Sequence, residues 1–435
     1  MKIKSLSGID DASAQAFVLQ DKEDILLIDY GINLTQIINL QEIVKENEKI
    51  DYQTAKNYNA IASLDDINFK NIKGIVLSHA HLDHIGGLKY LPLELKHIPI
   101  YATRFTCAVL DEMGIENPKH IVEYTSPILI STFKVEFIEA SHSTINSALI
   151  YIENESKKSI LYAQDFKIDN RPLLGERTNI ERLNELKGVN TLIMDSLGSN
   201  VMKKTQSECV VKEQLRDVFI ETQHQNTQLI VASTYASHIA RIKSLVQLAK
   251  EIHREVIFIG RSLNRYSNAA RKSQYVNFEQ LGVTICRNHY DLKKIQKKIM
   301  ENKSKYLIIC TGHQGEEKAT LKKIATNTYP IKLGKDDLVL LSSHIIPVEQ
   351  AQMQGEELNK DLEQIGCKVY RDLHVSGHGT YQDVKYLIEL TAPKYILPSH
   401  GNMKLKEGAK KAAEKLGYIT NKNLLFLSQK EELSI

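Results

Sequence analysis

Residues 75–87 read IVLSHAHLDHIGG, an apolar run that ends in three histidines and an aspartate and then two glycines. No other stretch restricts the chain so strongly. Alternate residues of an extended chain point to one side, so His79 and His81 can grip a single ion. Asp83 and His84, at the turn that follows, can face a second position. Imidazole nitrogen and carboxylate oxygen suit Zn²⁺ well and Mn²⁺ acceptably. The plain alternative is a polar loop with capping residues. Three further donors weigh against it, each at the end of an apolar run: His142 after 135–138, Asp165 after 160–163 and His400 after 395–397. Alone, each would serve as a capping or core-edge residue. Together with the first cluster they supply enough ligands for two ions, gathered by loops over a rigid scaffold.

Composition narrows the setting. At 435 residues the chain is too long for one average domain. Lys+Arg 56 against Asp+Glu 53 leaves +3, which excludes a uniformly basic surface and says little about partners. The five cysteines, Cys107, Cys209, Cys286, Cys310 and Cys367, are scattered without a CxxC pair, as reduced thiols are, so cysteine is not expected to hold the metal. No apolar run approaches the roughly 18 to 20 residues that cross a bilayer, and residues 1–7 carry no signal-peptide stretch. A cytoplasmic protein without a membrane partner is expected.

Short β-branched runs at 25–30, 75–78, 135–138, 148–152, 160–163 and 191–194 read as strands, with a helix around 34–44. After 199 the rhythm changes to strands at 228–232, 256–259 and 306–310 with a helix over 237–253. There Ile242, Leu245, Val246, Ala249 and Ile252 share a face. That succession predicts a parallel sheet with covering helices. Strand-rich sequence returns near 368 and closes with a helix at 403–416. The expected domains are 1–199 and 378–435, two parts of one unit, with 200–377 as a separate insertion.

The spacing of His79, His81, Asp83, His84, His142, Asp165 and His400 resembles the metallo-β-lactamase fold. The resemblance implies an αββα sandwich with two divalent ions at one rim. It also implies that Asp29, at the end of LLIDYG, orients the metal loop without being a ligand. The insertion is similar to β-CASP nucleases. LIMDS at 192–196 resembles their motif A with Asp195 as its acid, HVSGHG at 374–379 resembles motif B with His378, and His400 follows 22 positions later as motif C. VASTYASHIAR at 231–241, IGRSLNR at 259–265 and CTGHQGEEKATL at 310–321 are similar to the ribonuclease J branch.

That resemblance implies hydrolysis of RNA phosphodiesters. Asp83 would bind an ion and orient the nucleophile, while His378, set by Asp195, would protonate the leaving oxygen. His374, Val375, Ser376, Gly377 and His378, joined by Ser237 and Arg261, would hold a 5′-monophosphate and so favour 5′-to-3′ exonucleolysis; internal cleavage and homodimerisation stay open. Departures from the family pattern fall at Ser7 to Asp11, at His313 where Ser is usual, and at 346–350, which reads IPVEQ. The length is nearer to the archaeal members, without the extra C-terminal domain of bacterial ones. A β-CASP nuclease acting on single-stranded DNA is one rival, against which His400 speaks because that branch typically has valine there. Small-ester or thioester hydrolases share the ligands but lack the insertion. Non-enzymatic scaffolds of the group lose ligands that are all present here.

Overall fold

The computed structural model describes residues 1–44, 48–225, 227–345 and 349–435. The departure at 346–350 therefore lies outside the described residues at 346–348. The chain divides into two compact units: Met1–Asn170, Gly175–Thr205 and Ser376–Ile435 form the first, Arg171–Leu174 and Gln206–Val375 the second. Residues 200–205, expected in the insertion, thus go with the first unit. Hydrogen bonds hold them there: Tyr381 N donates to Val201 O, Thr380 N to Thr205 Oγ1, and Gly408 N to Asn200 Oδ1.

The first unit is built on two sheets. One runs Glu432–Ser434, Lys2–Ser7, Ala16–Asp21, Asp24–Ile28, Ile72–Val76, Ile100–Ala102, Lys119–Ile121 in spatial order. The other runs Tyr395–Ser399, Thr191–Asp195, Ser159–Ala163, Ser147–Asn154, Phe133–Ala140, Ile128–Ile130. Period-two alternation decides what each strand faces. In Ser159–Ala163, Ile160 and Tyr162 join Phe17, Leu26, Ile28 and Val76 in the core between the sheets, whereas Leu161 and Ala163 pack on the helical side. Helices Tyr381–Thr391 and Met403–Lys415 supply Val384, Leu387, Ala409 and Ala412 to that outer core. This is the expected αββα sandwich.

Strand direction concentrates chemistry at one edge. Ser159–Ala163, Thr191–Asp195 and Tyr395–Ser399 pair in parallel, and Phe133–Ala140 runs the same way because two antiparallel pairings separate it from Ser159–Ala163. Their carboxyl ends lead directly to His142, Asp165, Asp195 and His400. On the opposing sheet, Asp24–Ile28 and Ile72–Val76 are also parallel and lead to Asp29 and to the histidine-rich loop.

The second unit carries a six-stranded, wholly parallel sheet in the order Thr284–Cys286, Glu255–Ile259, Tyr306–Cys310, Ile230–Ser233, Leu338–Leu341, Lys368–Tyr370. Val231, Ile257, Ile308 and Val339 meet Leu292, Ile299, Leu321, Leu358 and Leu362 from covering helices. Helix Ile239–Glu251 occupies most of the predicted 237–253 and packs on strand Glu255–Ile259. Strands buried on both faces read as continuous apolar runs, as Tyr306–Cys310 does.

Candidate active site

The strand Ile72–Val76 stops three residues before His79, so the histidine motif lies on a loop and not on an extended strand. His81 caps a single helical turn, Leu82–Ile85, which carries Asp83 and His84. The turn separates the two pairs of donors, as expected, but His79 and His81 themselves follow the end of the strand. Gly31 allows the turn, because a Cβ there would stand 1.6 Å from Asp83 O.

Asp165 is the centre of the arrangement. Its Oδ2 lies 3.4 Å from His79 Nε2, 3.3 Å from His142 Nε2 and 3.9 Å from His81 Nδ1. Its Oδ1 lies 3.4 Å from His84 Nε2 and 2.8 Å from His400 Nδ1. Asp83 Oδ2 completes this second group at 3.6 Å from His84 Nε2 and 3.5 Å from His400 Nε2. One carboxylate thus faces two donor sets, His79/His81/His142 and Asp83/His84/His400, and Asp165, Asp195, His378 and His400 form a third group able to hold an ion. All seven candidate ligands converge.

The remaining ring nitrogens are tied to the protein. His84 Nδ1 bonds Asp29 Oδ2 at 2.7 Å, His142 Nδ1 bonds Gly377 O at 2.7 Å, and His79 Nδ1 meets Ser78 Oγ at 3.0 Å. Such partners select the tautomer and leave the other nitrogen free to bind an ion. Asp29 accepts also from Ser78 N, Ser78 Oγ and Tyr162 Oη. Ser78 and Tyr162 were not anticipated from sequence, although Ser78 sits beside His79.

Electrostatics follow from burial and from these neighbours. Burial, reinforced by His84, lowers the His79 imidazole to about 4. Burial would lower His84 too, but the Asp165, Asp83 and Asp29 carboxylates outweigh it and raise it to about 10. Burial opposes ionisation of Asp165, yet His400, His84 and His378 hold it well below the usual carboxylate range. The pocket attracts positive charge, and a cation bound here competes with protons.

Two observations say that divalent cations fit. His79 Nε2, His84 Nε2, Asp165 Oδ1 and both ring nitrogens of His400 are buried without a hydrogen bond inside the protein, where buried polar atoms are nearly always bonded. The donors are imidazole and carboxylate, the set that Zn²⁺ accepts. The backbone is strained in support: Asp29, Asp165 and His400 hold φ of 53°, 47° and 61°, the left-handed region that costs a non-glycine residue on the order of 1 to 3 kcal/mol.

Asp195 and His378 adjoin this centre. His378 Nδ1 bonds Asp195 Oδ2 at 2.7 Å, and its Nε2 lies 3.9 Å from Asp165 Oδ2. Burial disfavours the charged ring, but Asp195 and Asp165 raise its pKa above the ordinary histidine value. Ser376 Oγ accepts from His378 N at 3.0 Å and shapes the loop. At Gly377 a Cβ would stand 2.8 Å from His142 Cε1 and from Ser143. Ser143, also unanticipated, places its Oγ 3.3 Å from His142 Nε2 and 3.5 Å from His81 Nε2.

The other candidates belong to the second unit. His374 lies with its ring 4.6 Å from that of His344 and 6.4 Å from that of Tyr235. Val375 and Ser237 are buried, and Arg261 is exposed at the start of helix Arg261–Lys272. The quintet 374–378 is therefore shared between units, and His374, Val375, Ser237 and Arg261 are not part of the ligand cluster. A residue the sequence reading passed over, Arg241, is fully buried at the centre of the second unit. It pairs with Glu208 and donates to Ser342 O at 3.0 Å, Ser342 Oγ at 2.7 Å and Leu373 O at 2.8 Å.

Comparison with known proteins agrees with this architecture. Residues 9–156 match the model of the metallo-beta-lactamase superfamily, 227–359 that of the ribonuclease J beta-CASP domain, and 363–423 that of the Zn-dependent metallo-hydrolase RNA specificity domain. Fold and site together define a metallo-β-lactamase-fold hydrolase with a β-CASP domain. Ribonuclease J of Pyrococcus abyssi (strain GE5 / Orsay) is 31% identical over 99% of this chain and 96% of its own length. Ribonuclease J of Methanocaldococcus jannaschii is 30% identical over 100% and 98%. The chain belongs to the ribonuclease J family. A crystal structure of a protein of unknown function from Enterococcus faecalis V583 shares the fold, with a TM-score of 0.65 at 16% identity over 99% of both chains.

Proposed function

We propose that this chain is a metal-dependent ribonuclease that cleaves single-stranded RNA from 5′-monophosphorylated ends, releasing products with a 5′-phosphate and a 3′-hydroxyl. The observation that carries the reading is Asp165, whose two oxygens face two separate sets of imidazole and carboxylate donors. His79, His81 and His142 would hold one cation, Asp83, His84 and His400 the other, with Asp165 shared. Zn²⁺ is the choice of this donor set and Mn²⁺ the alternative. Bound there, the cations supply Lewis acidity toward water and the phosphoryl oxygens.

The protein's own part concerns protons. Asp83, whose side chain is 20% exposed, would orient the attacking water, whose proton passes to solvent as its oxygen bonds to phosphorus. His378 holds a proton on Nε2, because Asp195 occupies Nδ1 and two carboxylates favour the charged ring. As the bond from phosphorus to the 3′-oxygen breaks, that proton passes to the leaving oxygen. Within the first unit, Ser376 is the proposed contact of the terminal phosphate. No helix among the described residues is long and apolar enough to cross a membrane.

The test uses RNA with a 5′-monophosphate, products separated by size, and the variants Asp83→Ala and His378→Ala. Mononucleotides and a loss of turnover in both variants at full metal content are expected. Normal turnover of His378→Ala would remove that residue from the mechanism. Equal rates on triphosphorylated and monophosphorylated RNA would overturn the end preference, and discrete fragments would mean an endonuclease.

A further inference from the structure

The Asp29 carboxylate accepts four hydrogen bonds. Ser78 N at 2.8 Å, Ser78 Oγ at 2.7 Å and His84 Nδ1 at 2.7 Å all come from the loop that follows strand Ile72–Val76. The fourth donor, Tyr162 Oη at 2.9 Å, comes from the opposite sheet. Tyr162 lies three residues before Asp165 and pairs with Ile193, two residues before Asp195, whose partner Ser399 precedes His400. Its strand therefore sets the heights of Asp165, Asp195 and His400. Asp29, His79, His81, Asp83 and His84 all ride on the other sheet.

The apolar contacts that join the two sheets, such as Phe17 against the Tyr162 ring at 5.5 Å, resist separation but are non-directional and tolerate small sliding. A buried hydrogen bond to an ionised carboxylate is directional and short. Backbone bonds also cross between the sheets, from Ala148 N to Ser78 O and from His400 N to Gly8 O, but neither reaches the carboxylate that orients His84.

Accepting that the two donor sets hold cations, we propose that Tyr162 is a positioning residue for the metal pair: its hydroxyl, given to Asp29 across the sandwich, keeps the donors of the first sheet in register with Asp165 and His400 on the second. Tyr162 is fully buried, so no substrate reaches it, and burial with Asp29 nearby pushes its phenol well above the ordinary range, leaving the hydroxyl a permanent donor. The ligand set most exposed to its loss is Asp83/His84/His400, because His84 is the residue that Asp29 orients and His400 belongs to the opposite sheet.

The experiment starts from the Zn²⁺-loaded full-length chain and removes metal with a competing chelator, in wild type, Tyr162→Phe, Asp29→Asn and the double variant. Tyr162→Phe deletes one oxygen and keeps the packed ring. We expect it to lose one of two ions about tenfold more readily than wild type, the low end for groups that support metal ligands. The double variant should be no worse than Asp29→Asn alone, since both act through one hydrogen bond. Phe17→Leu is the control for a purely structural effect: it should lower the melting temperature of the metal-free and metal-loaded forms equally, whereas Tyr162→Phe should shrink the interval between them. Two ions held as tightly in Tyr162→Phe as in wild type, or additive losses in the double variant, would overturn the proposal. A wild-type chain that takes up no metal would overturn the two-cation reading itself, and this inference with it.

Discussion

Two clusters of buried polar groups, one in each unit, behave in opposite ways. In the second, the Arg241 guanidinium has no solvent exposure, yet Nε and both terminal nitrogens are satisfied by Glu208, Ser342 and Leu373. Arg254 is treated likewise, donating to the carbonyls of Thr227, Gln228 and Tyr306. In the first unit the buried groups around Asp165 leave five atoms without a hydrogen bond, all turned toward one small volume. A buried charge that the protein satisfies holds a fold together; unsatisfied donors that converge are waiting for a ligand. His313 in the second unit shows that convergence is the essential condition. Both its ring nitrogens lack partners, but no carboxylate accompanies it, and burial alone lowers it to about 3, so it stays neutral.

This contrast can be broken by experiment. The largest effect is expected for Asp165→Ala, which removes the carboxylate shared by both donor sets. Metal content should fall and RNA turnover drop by a thousandfold or more, about 4 kcal/mol of barrier, measured by elemental analysis beside a turnover assay. Full metal content in that variant would end the idea of a shared ligand. Next comes Arg241→Met, which strands the Glu208 carboxylate in the interior. It should cost about 3 to 5 kcal/mol in denaturant unfolding, while adding Glu208→Leu restores most of the loss and metal binding is untouched throughout.

The smallest effect concerns acid. His313 binds a proton in the unfolded chain below about pH 6.5 but in the folded chain only below about 3, so falling pH favours unfolding across that window. Between pH 7 and 5 this residue should cost about 2 kcal/mol, and His313→Leu should flatten that part of the stability curve by the same amount. An unchanged curve would mean that the imidazole has a partner in solution.

The candidate ligands were legible because metal chemistry restricts residue type and because strand ends recur as apolar runs followed by His or Asp. His79, His81, Asp83 and His84 are neighbours in sequence, and His142, Asp165 and His400 each close such a run. The parallel sheet of the second unit followed from periodicity, and the αββα sandwich from the family likeness. Other features were hidden. Nothing local marks Tyr162 as different from the apolar residues beside it, since its partner Asp29 is 133 positions away. Arg241 reads as one more polar residue on an amphipathic helix until its burial is seen. Gly377 looks like a phosphate-binding glycine, and only the approach of His142 and Ser143 reveals its steric duty.

By itself, then, the order of residues determined which side chains could hold cations, which segments would be strands and helices, and to which family the chain is similar, because those properties are written in short-range spacing. Tertiary structure decided the division of the donors into two sets about Asp165, the tautomers imposed by Asp29 and Gly377, and the separation of His374 from His378 into different units. These depend on distances between residues far apart along the chain, and such distances exist only once two sheets have packed and buried the groups between them.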